Sequence, residues 1–174
     1  MGRFEQMVMP HLDAAYNLAR WLVRNTHDAE DVVQEACLRA LRGISGFSGA
    51  NSRAWTLAIV RNAAHDWLRK NRPAAIVAVD DLEKVERLQA RGNAAVSPPP
   101  DDPETALIAR ADELALQAAI EGLPTAFRET LVLRDVQGLG YREIAEITGV
   151  PIGTVMSRLA RARDRLFETL GEKP

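Results

Sequence analysis

A cluster of arginine and hydroxyl side chains near the carboxyl end of the chain has the chemistry of a DNA-contacting surface. Guanidinium groups donate hydrogen bonds to phosphates and to guanine, and hydroxyls bond to either phosphates or bases. The arginines fall within about two helical turns and repel one another unless an anion is bound. The cluster comprises Thr154, Ser157, Arg158, Arg161 and Arg165, with Arg163 beside them.

The elements that must position this cluster are two helices joined by a tight turn. Gly149 stands where a helix would end in a left-handed residue, and Pro151 where a new helix can begin. In the second helix Val155, Leu159, Ala162 and Leu166 recur at three- and four-residue steps, which predicts a buried stripe. The pattern is typical of a helix-turn-helix whose second helix enters the major groove. The alternative is an ordinary helical hairpin with a solvated arginine face.

A second group of polar residues lies on a predicted helix over residues 28–42. Asp28 is placed to cap this helix, with Asp31 in the position of the capping-box acid. The expected buried face is Val33, Cys37, Ala40 and Leu41. Asp31, Gln34 and Glu35 beside an exposed Leu38 have the composition of a protein-docking face. A well-capped surface helix would explain the same residues.

A third group follows on a helix predicted over residues 53–70. Trp55, Ile59 and Ala63 suit a core stripe, yet the polar residues Asn62 and Asp66 fall on the same side. The helix ends in a basic run, and a glycine-rich loop (SGFSGANSR) precedes it. Amides can pair with base edges, cations with phosphates, and aromatic rings can stack on unpaired bases. Each of these signals is weak when taken singly.

Composition limits the fold class and the possible kinds of site. The 174 residues are 47% hydrophobic but only 5% aromatic, and no alternating β-branched run is evident, so we predict an all-α protein. The net charge is −2, and the positive charge is local to the segments above. Cys37 alone cannot form an intrachain disulfide or a thiolate metal site, and the three histidines lack metal-ligand spacing. We expect no cofactor, no metal, no membrane insertion and a cytoplasmic location.

Three parts separate along the chain. Residues 1–72 and 105–174 are predicted to be two small helical domains, the second a four-helix domain that contains the helix-turn-helix. Residues 73–104 are a proline-rich, acidic segment that includes three consecutive prolines, which cannot continue a helix. We predict a flexible linker there.

The three segments together resemble the extracytoplasmic-function sigma factors of bacterial RNA polymerase, members of the sigma-70 family. DAEDVVQEACLRAL is similar to the polymerase-docking helix of that family, and SRAWTLAIVRNAAHDWLRKNR to its helix for the promoter −10 element. The segment from Gly122 to Leu166 is similar to the whole fourth domain, which reads the −35 element. The resemblance covers nearly the whole chain apart from the linker.

The resemblance implies functional roles for matched positions. The polymerase-docking positions, which would contact the clamp helices of the β′ subunit, are Asp31, Gln34, Glu35 and Leu38. The positions implied to read the −10 element as unpaired bases are Phe47, Asn51, Arg53, Asn62, Asp66 and Arg69, with the loop over residues 47–53 as the pocket for a flipped base. The positions implied to contact the −35 duplex are Tyr141, Arg142, Thr154, Ser157, Arg158, Arg161 and Arg163.

One position departs from the family pattern. Met156 stands where members of the family often carry Lys or Arg, so an altered −35 preference is expected.

The implied partners are core RNA polymerase, through its β′ clamp helices and β flap, promoter DNA, and an anti-sigma factor that holds the protein inactive. The implied function is that of a dissociable specificity subunit and not an enzyme. A stand-alone helix-turn-helix regulator would explain residues 138–170 equally well but would leave the two earlier helices unexplained. A nucleic-acid enzyme, or a sequestering protein that mimics a sigma factor, are further alternatives.

Overall fold

The computed structural model describes residues 2–76 and 103–171, with side chains described from residue 112 onward in the second range. Within these ranges every regular element is helical, in agreement with the predicted all-α class. Most of the predicted acidic linker lies outside the described residues.

The amino-terminal half is built on three helices that pack against one another in pairs. Its α-helices are α1 (Arg3–Met7), α2 (Leu12–Val23), α3 (Thr26–Gly43) and α4 (Ser52–Asn71). Short 3₁₀ turns cover Met9–His11, Ile44–Gly46 and Pro73–Ala75. Six of the buried residues of α3 and α4 are alanines.

Two expectations for α3 were wrong. The cap is Asn25, whose side chain accepts a hydrogen bond from the Asp28 backbone N–H at 3.0 Å, and Asp28 therefore lies inside the first turn. Leu41 is 56% exposed because the buried side of α3 is rotated about the helix axis relative to the predicted face. That buried side consists of Ala29, Val32, Ala36 and Ala40.

The carboxyl-terminal half contains the predicted helix-turn-helix. Its helices are α5 (Pro103–Glu121), α6 (Thr125–Leu131), α7 (Tyr141–Thr148) and α8 (Ile152–Gly171), and a π-helical stretch over Val132–Val136 extends α6. Gly149 ends α7 with φ of 71°, the left-handed conformation predicted for it. The predicted stripe of α8 is buried at Val155, Leu159 and Ala162, and its last residue, Leu166, is partly buried. The sequence therefore located both helices of the motif and the turn between them.

The two halves pack against each other. Helix α4 contacts α7, and α2 contacts α6. Buried apolar residues of both halves, from Leu18 and Leu57 on one side to Phe127 and Ile144 on the other, form one continuous cluster. Each half is near the size at which a separate core becomes marginal, so this shared core adds to the stability of both.

No helix among the described residues has an apolar stretch long enough to cross a lipid bilayer.

Candidate nucleic-acid interface

The outward side of α8 carries the side chains predicted to contact duplex DNA. Thr154, Ser157, Arg158 and Arg161 are all half-buried on this helix, which leaves part of each accessible. The Ser157 hydroxyl donates to the Thr154 carbonyl at 3.1 Å. The Nε of Arg158 is buried without a hydrogen-bond partner. The helix-turn-helix thus brings the four residues to one stretch of a single helix, as its periodicity predicts.

The predicted supporting positions lie on α8 and α7 and contact the segment that precedes α7. Arg163 pairs with Asp135 at 2.7 Å, which lessens the repulsion among the arginines of α8. The Arg134 guanidinium lies over the Tyr141 ring at 4.6 Å and donates to the Leu139 carbonyl at 2.9 Å. These contacts fix the turn that leads into α7. Arg142 is exposed at the start of α7.

The predicted docking residues lie together on the exposed side of α3. Asp31, Gln34 and Glu35 are exposed, and Leu38 beside them is 49% exposed. Glu35 accepts a hydrogen bond from Arg39 at 2.9 Å. The result is an acidic surface with an apolar residue at its edge.

The residues predicted to read unpaired bases fall into two groups, one of which contacts the carboxyl-terminal half. Asn51 caps α4 through a bond from the Ala54 N–H at 3.1 Å, and its side-chain amide donates to Glu143 at 2.9 Å. The Arg53 guanidinium donates to the Gln137 carbonyl at 2.7 Å. A hydrogen bond from the Gly140 N–H, followed by the bond from Asn51, lowers the pKa of the Glu143 carboxyl. Glu143 therefore accepts these bonds as a carboxylate at neutral pH.

The loop predicted to hold a flipped base faces a groove between the two halves. Phe47 is buried and stacks on Trp55 with ring centroids 4.4 Å apart. An open groove of about 240 Å³ adjoins this pair and is closed on its far side by Glu146 and Ile147 of α7. In this arrangement one side of the loop faces α7, and Phe47 is its buried residue.

The second group lies on the exposed part of α4. Asn62 and Asp66 are exposed, so the side they share faces solvent and not the core. Asp66 accepts hydrogen bonds from Arg39 at 2.8 Å and from Arg69 at 2.7 Å. The structure therefore separates Asn62, Asp66 and Arg69, which are exposed, from Phe47, Asn51 and Arg53, of which Phe47 is buried and the other two are bonded to the carboxyl-terminal half.

A buried ionic cluster joins the two halves. Glu129 on α6 is fully buried and accepts hydrogen bonds from Arg61 and His65 on α4. Burial alone would raise the pKa of the Glu129 carboxyl, but the bonds and charges of His65 and Arg61 outweigh it, and the pKa lies below its ordinary value. A carboxylate that is buried without water is stable only with such partners. The cluster therefore requires the two halves to be together.

Two further polar side chains reach across the same boundary. Arg128 is fully buried and donates to the carbonyls of Glu121 and Leu123, and to the Leu22 carbonyl of the other half at 3.2 Å. Burial lowers the pKa of its guanidinium to about 10, so it remains charged at neutral pH. The Gln137 side chain donates to the Ala14 carbonyl at 3.2 Å.

Sequence analysis missed this boundary. The available signal was the pair Arg128 and Glu129 inside an otherwise apolar segment, TAFRETLVL, since charges at core positions are rare unless paired. The partners of that pair, 64 to 106 residues away in sequence, could not be identified from one chain. Within the described ranges no group of three or more histidine, cysteine or acidic side chains is arranged to hold a metal ion.

Comparison with known proteins gives two family matches that bracket the undescribed segment. The model of Sigma-70 region 2 matches residues 7–74, and the model of Sigma-70 region 4 matches residues 113–166. The first range contains the predicted docking residues and the predicted loop residues of the amino-terminal half, and the second contains the helix-turn-helix.

The individual proteins to which the chain is similar are also sigma factors. The chain is 33% identical over 175 residues to the ECF RNA polymerase sigma factor SigE of Mycolicibacterium smegmatis, covering 99% of this chain but 63% of that protein. It is 30% identical to the ECF sigma factor SigW of Bacillus subtilis, covering 96% of this chain and 88% of that protein. Among solved structures, the sigma factor RpoE of Bartonella quintana, in complex with the anti-sigma factor NepR, aligns with a TM-score of 0.69 at 28% identity over 98% of both chains.

Proposed function

Because the chain belongs to the extracytoplasmic-function sigma factors of the sigma-70 family, we propose that it binds core RNA polymerase, directs initiation at promoters with two spaced elements, and is held inactive by an anti-sigma factor. The observation that carries the proposal is the presence in one chain of an exposed acidic face on α3 and an arginine-rich recognition helix in a helix-turn-helix. A stand-alone DNA-binding regulator has no use for the first of these.

The acidic face supplies the polymerase contact in this proposal. Asp31, Gln34, Glu35 and Leu38 form it, and a basic partner surface with an apolar patch is complementary to it in charge and hydrophobicity. The partner surface that we assign is the clamp helices of the β′ subunit, with the β flap engaging the carboxyl-terminal half. The function is that of a specificity subunit without catalytic residues of its own, acting in the cytoplasm where the polymerase works.

Promoter DNA supplies the second contact. The −35 duplex is read by α8 through Thr154, Ser157, Arg158 and Arg161, with Tyr141, Arg142 and Arg163 in support. The unpaired −10 strand is read by Asn62, Asp66 and Arg69 together with the loop residues Phe47, Asn51 and Arg53. Each good bidentate base contact contributes about 1–3 kcal/mol, so both elements are needed for specificity.

Reading the −10 element requires the two halves to separate. Asn51 and Arg53 are bonded to Glu143 and Gln137 in the structure, and Phe47 is buried. A base cannot take those bonds while α7 holds them. The structure therefore corresponds to the free or inhibited protein in this proposal, and the polymerase-bound protein is the separated form. The related sigma factor from Bartonella quintana, solved with its anti-sigma factor, supports an inhibitory partner.

Run-off transcription tests the proposal. Purified core polymerase is assayed with and without the full chain on a pool of genomic promoter fragments. We expect initiation that depends on the chain, at sites that share two elements at constant spacing. DNA binding without initiation and without association with core polymerase would instead identify a stand-alone regulator. Capture of an inhibitory protein that abolishes initiation, with release on its removal, tests the anti-sigma part separately.

A further inference from the structure

An apolar side chain projects from the outward side of α8 among the polar residues. Met156 is 48% exposed, and Ile152 one turn before it is 36% exposed. Neither belongs to the buried stripe of the helix, which is Val155, Leu159 and Ala162. No packing contact within the core accounts for a large apolar side chain at Met156.

Apart from Ile152, the exposed residues that flank Met156 on the helix surface are small. Gly153 and Ala160 lie on either side of it, and both are exposed. A Cβ built at Gly153 would meet nothing within 4 Å, so glycine is not required there by neighbouring protein atoms. Small residues on a helix surface let another surface approach the backbone closely. Met156 then becomes the side chain that projects furthest between them.

The chemistry of methionine restricts what it can recognise in a major groove. Its thioether donates no hydrogen bond and accepts only weakly, whereas its flexible chain fills irregular apolar gaps. The major-groove edges of the bases carry polar atoms with one apolar exception, the 5-methyl group of thymine. A polar base edge placed against Met156 would lose its water without gaining a partner, which is unfavourable.

We infer that Met156 is a specificity-determining residue that contacts the 5-methyl group of a thymine in the −35 element, with Ile152 extending the apolar surface. The inference rests on the proposed function, because it assigns α8 to duplex DNA. The charge of the surroundings favours DNA over a protein partner: Ser157, Arg158 and Arg161 lie on the adjacent part of the helix and suit phosphates and base edges.

Replacing thymine by uracil tests this contact, since uracil pairs identically and lacks only the methyl group. The full chain bound to core polymerase is titrated with −35 duplexes from a promoter that it transcribes, each thymine being replaced in turn. At one position we expect binding to weaken about fourfold, the factor for one methyl group removed from an apolar contact. In Met156→Ala the same replacement should have no further effect.

Phe167→Ala is the matched control, because Phe167 is 41% exposed on the same helix but near its other end. This variant should keep the full uracil effect. The inference would be overturned if uracil left binding unchanged at every position. It would also be overturned if uracil weakened the binding of Met156→Ala as much as that of the wild type. Loss of polymerase association in Met156→Ala, with −35 binding intact, would also overturn it by making Met156 a protein contact. If the wild-type chain supports no initiation at all, the proposed function fails first, and the two failures are thereby distinguished.

Discussion

Arg39 connects two acidic side chains that we assign to different partners. Its Nε donates to Glu35 at 2.9 Å and its Nη1 to Asp66 at 2.8 Å. The bond to Glu35, then that to Asp66, raises the pKa of the guanidinium. Both pairs are exposed, and such pairs typically contribute less than about 1 kcal/mol each. Substitution of Glu35 nevertheless changes the surroundings of Asp66, so Asp31 offers the cleaner test of the docking face.

Asp31→Ala should weaken the association of the chain with core polymerase and leave its fold unchanged, because the side chain is exposed and makes no hydrogen bond or ion pair with any of the residues that the structure describes. A rim charge of this kind acts mainly through the association rate and the salt dependence. Surface-immobilised core polymerase can measure both. Asp13→Ala, an exposed acid on α2, is the control. Equal association rates for the two variants would argue against a docking face on α3.

Arg161→Ala should reduce binding to the −35 duplex by about 1–3 kcal/mol, the range for a lost bidentate base contact. Binding of the holoenzyme to duplexes with single base changes is the measurement. If Arg161 contacts a base, the loss is confined to one position, whereas a phosphate contact would weaken all sequences alike. Arg42→Ala removes the same charge from the end of α3 and serves as the control. Unimpaired −35 binding in Arg161→Ala would refute its assignment.

For single residues, the sequence predicted which side chains are exposed better than it predicted the contacts they make. The exposure of Asp31, Gln34, Glu35 and Leu38 follows from helical periodicity, which fixes spacing along one face. The helix cap at Asn25 and the bond from Asn51 to Glu143 depend on local backbone angles and on a partner 92 residues away. Neither is encoded in a periodic pattern.

Among the elements, the turn between α7 and α8 sets the direction of the recognition helix. Gly149 has φ of 71° and no atom near the position of a Cβ, so the constraint is one of backbone conformation alone. An L-residue in the left-handed helical region costs about 1–2 kcal/mol. The orientation of α8 thus depends on the backbone conformation of Gly149 and not on side-chain packing at that position.

Gly149→Ala should lower the free energy of unfolding by about 1 kcal/mol, because alanine adopts a positive φ unfavourably. Gly153→Ala is the matched control four residues later. Gly153 lies within α8 and is not among the glycines with positive φ, and a Cβ at this position would have open space around it. Alanine there should be neutral or stabilise the protein by up to about 1 kcal/mol. Urea denaturation of both variants gives the comparison, and equal effects would contradict the conformational explanation.

Element positions were largely predictable, and the exceptions have local causes. The apolar periodicity, together with Gly149 as a helix end and Pro151 as a helix start, located α7 and α8, because these signals act within a few residues. The π-helical stretch over Val132–Val136 carries no such signal. There the Gln137 N–H bonds to the Val132 carbonyl five residues back, at 2.9 Å, and the Gln137 side chain bonds to Ala14 in the other half. Tertiary contact thus accompanies a backbone form that local preference does not predict.

For the molecule as a whole, the buried carboxylate of Glu129 makes the association of the two halves dependent on pH. Its pKa in the folded protein lies below the ordinary value of 4.5. The stabilisation it provides is therefore complete above about pH 4.5 and is lost as the pH falls through the folded pKa. Neutral conditions favour the joined form.

Glu129→Gln should destabilise the protein at pH 7 by about 3 kcal/mol or more, because it leaves Arg61 and His65 without their buried anion. The difference from wild type should narrow as the pH falls below about 4.5 and through the lower pKa of the folded wild-type carboxyl, where that group also becomes protonated. Denaturant unfolding between pH 7 and pH 3 measures this difference. Glu168→Gln, at an exposed site on α8, should show neither effect. A pH-independent difference would show that Glu129 acts through packing and not through charge.

The shared core has a consequence for how promoter affinity is set. If only the separated form can accept the −10 strand, the measured dissociation constant equals the intrinsic one divided by the fraction of molecules that are open. Every interior substitution along the contact of α4 with α7 changes that fraction without touching DNA. Buried hydrophobic residues thereby set the fraction of molecules that can bind the promoter. Changes in the packing between the halves can then alter promoter affinity while the recognition residues stay the same.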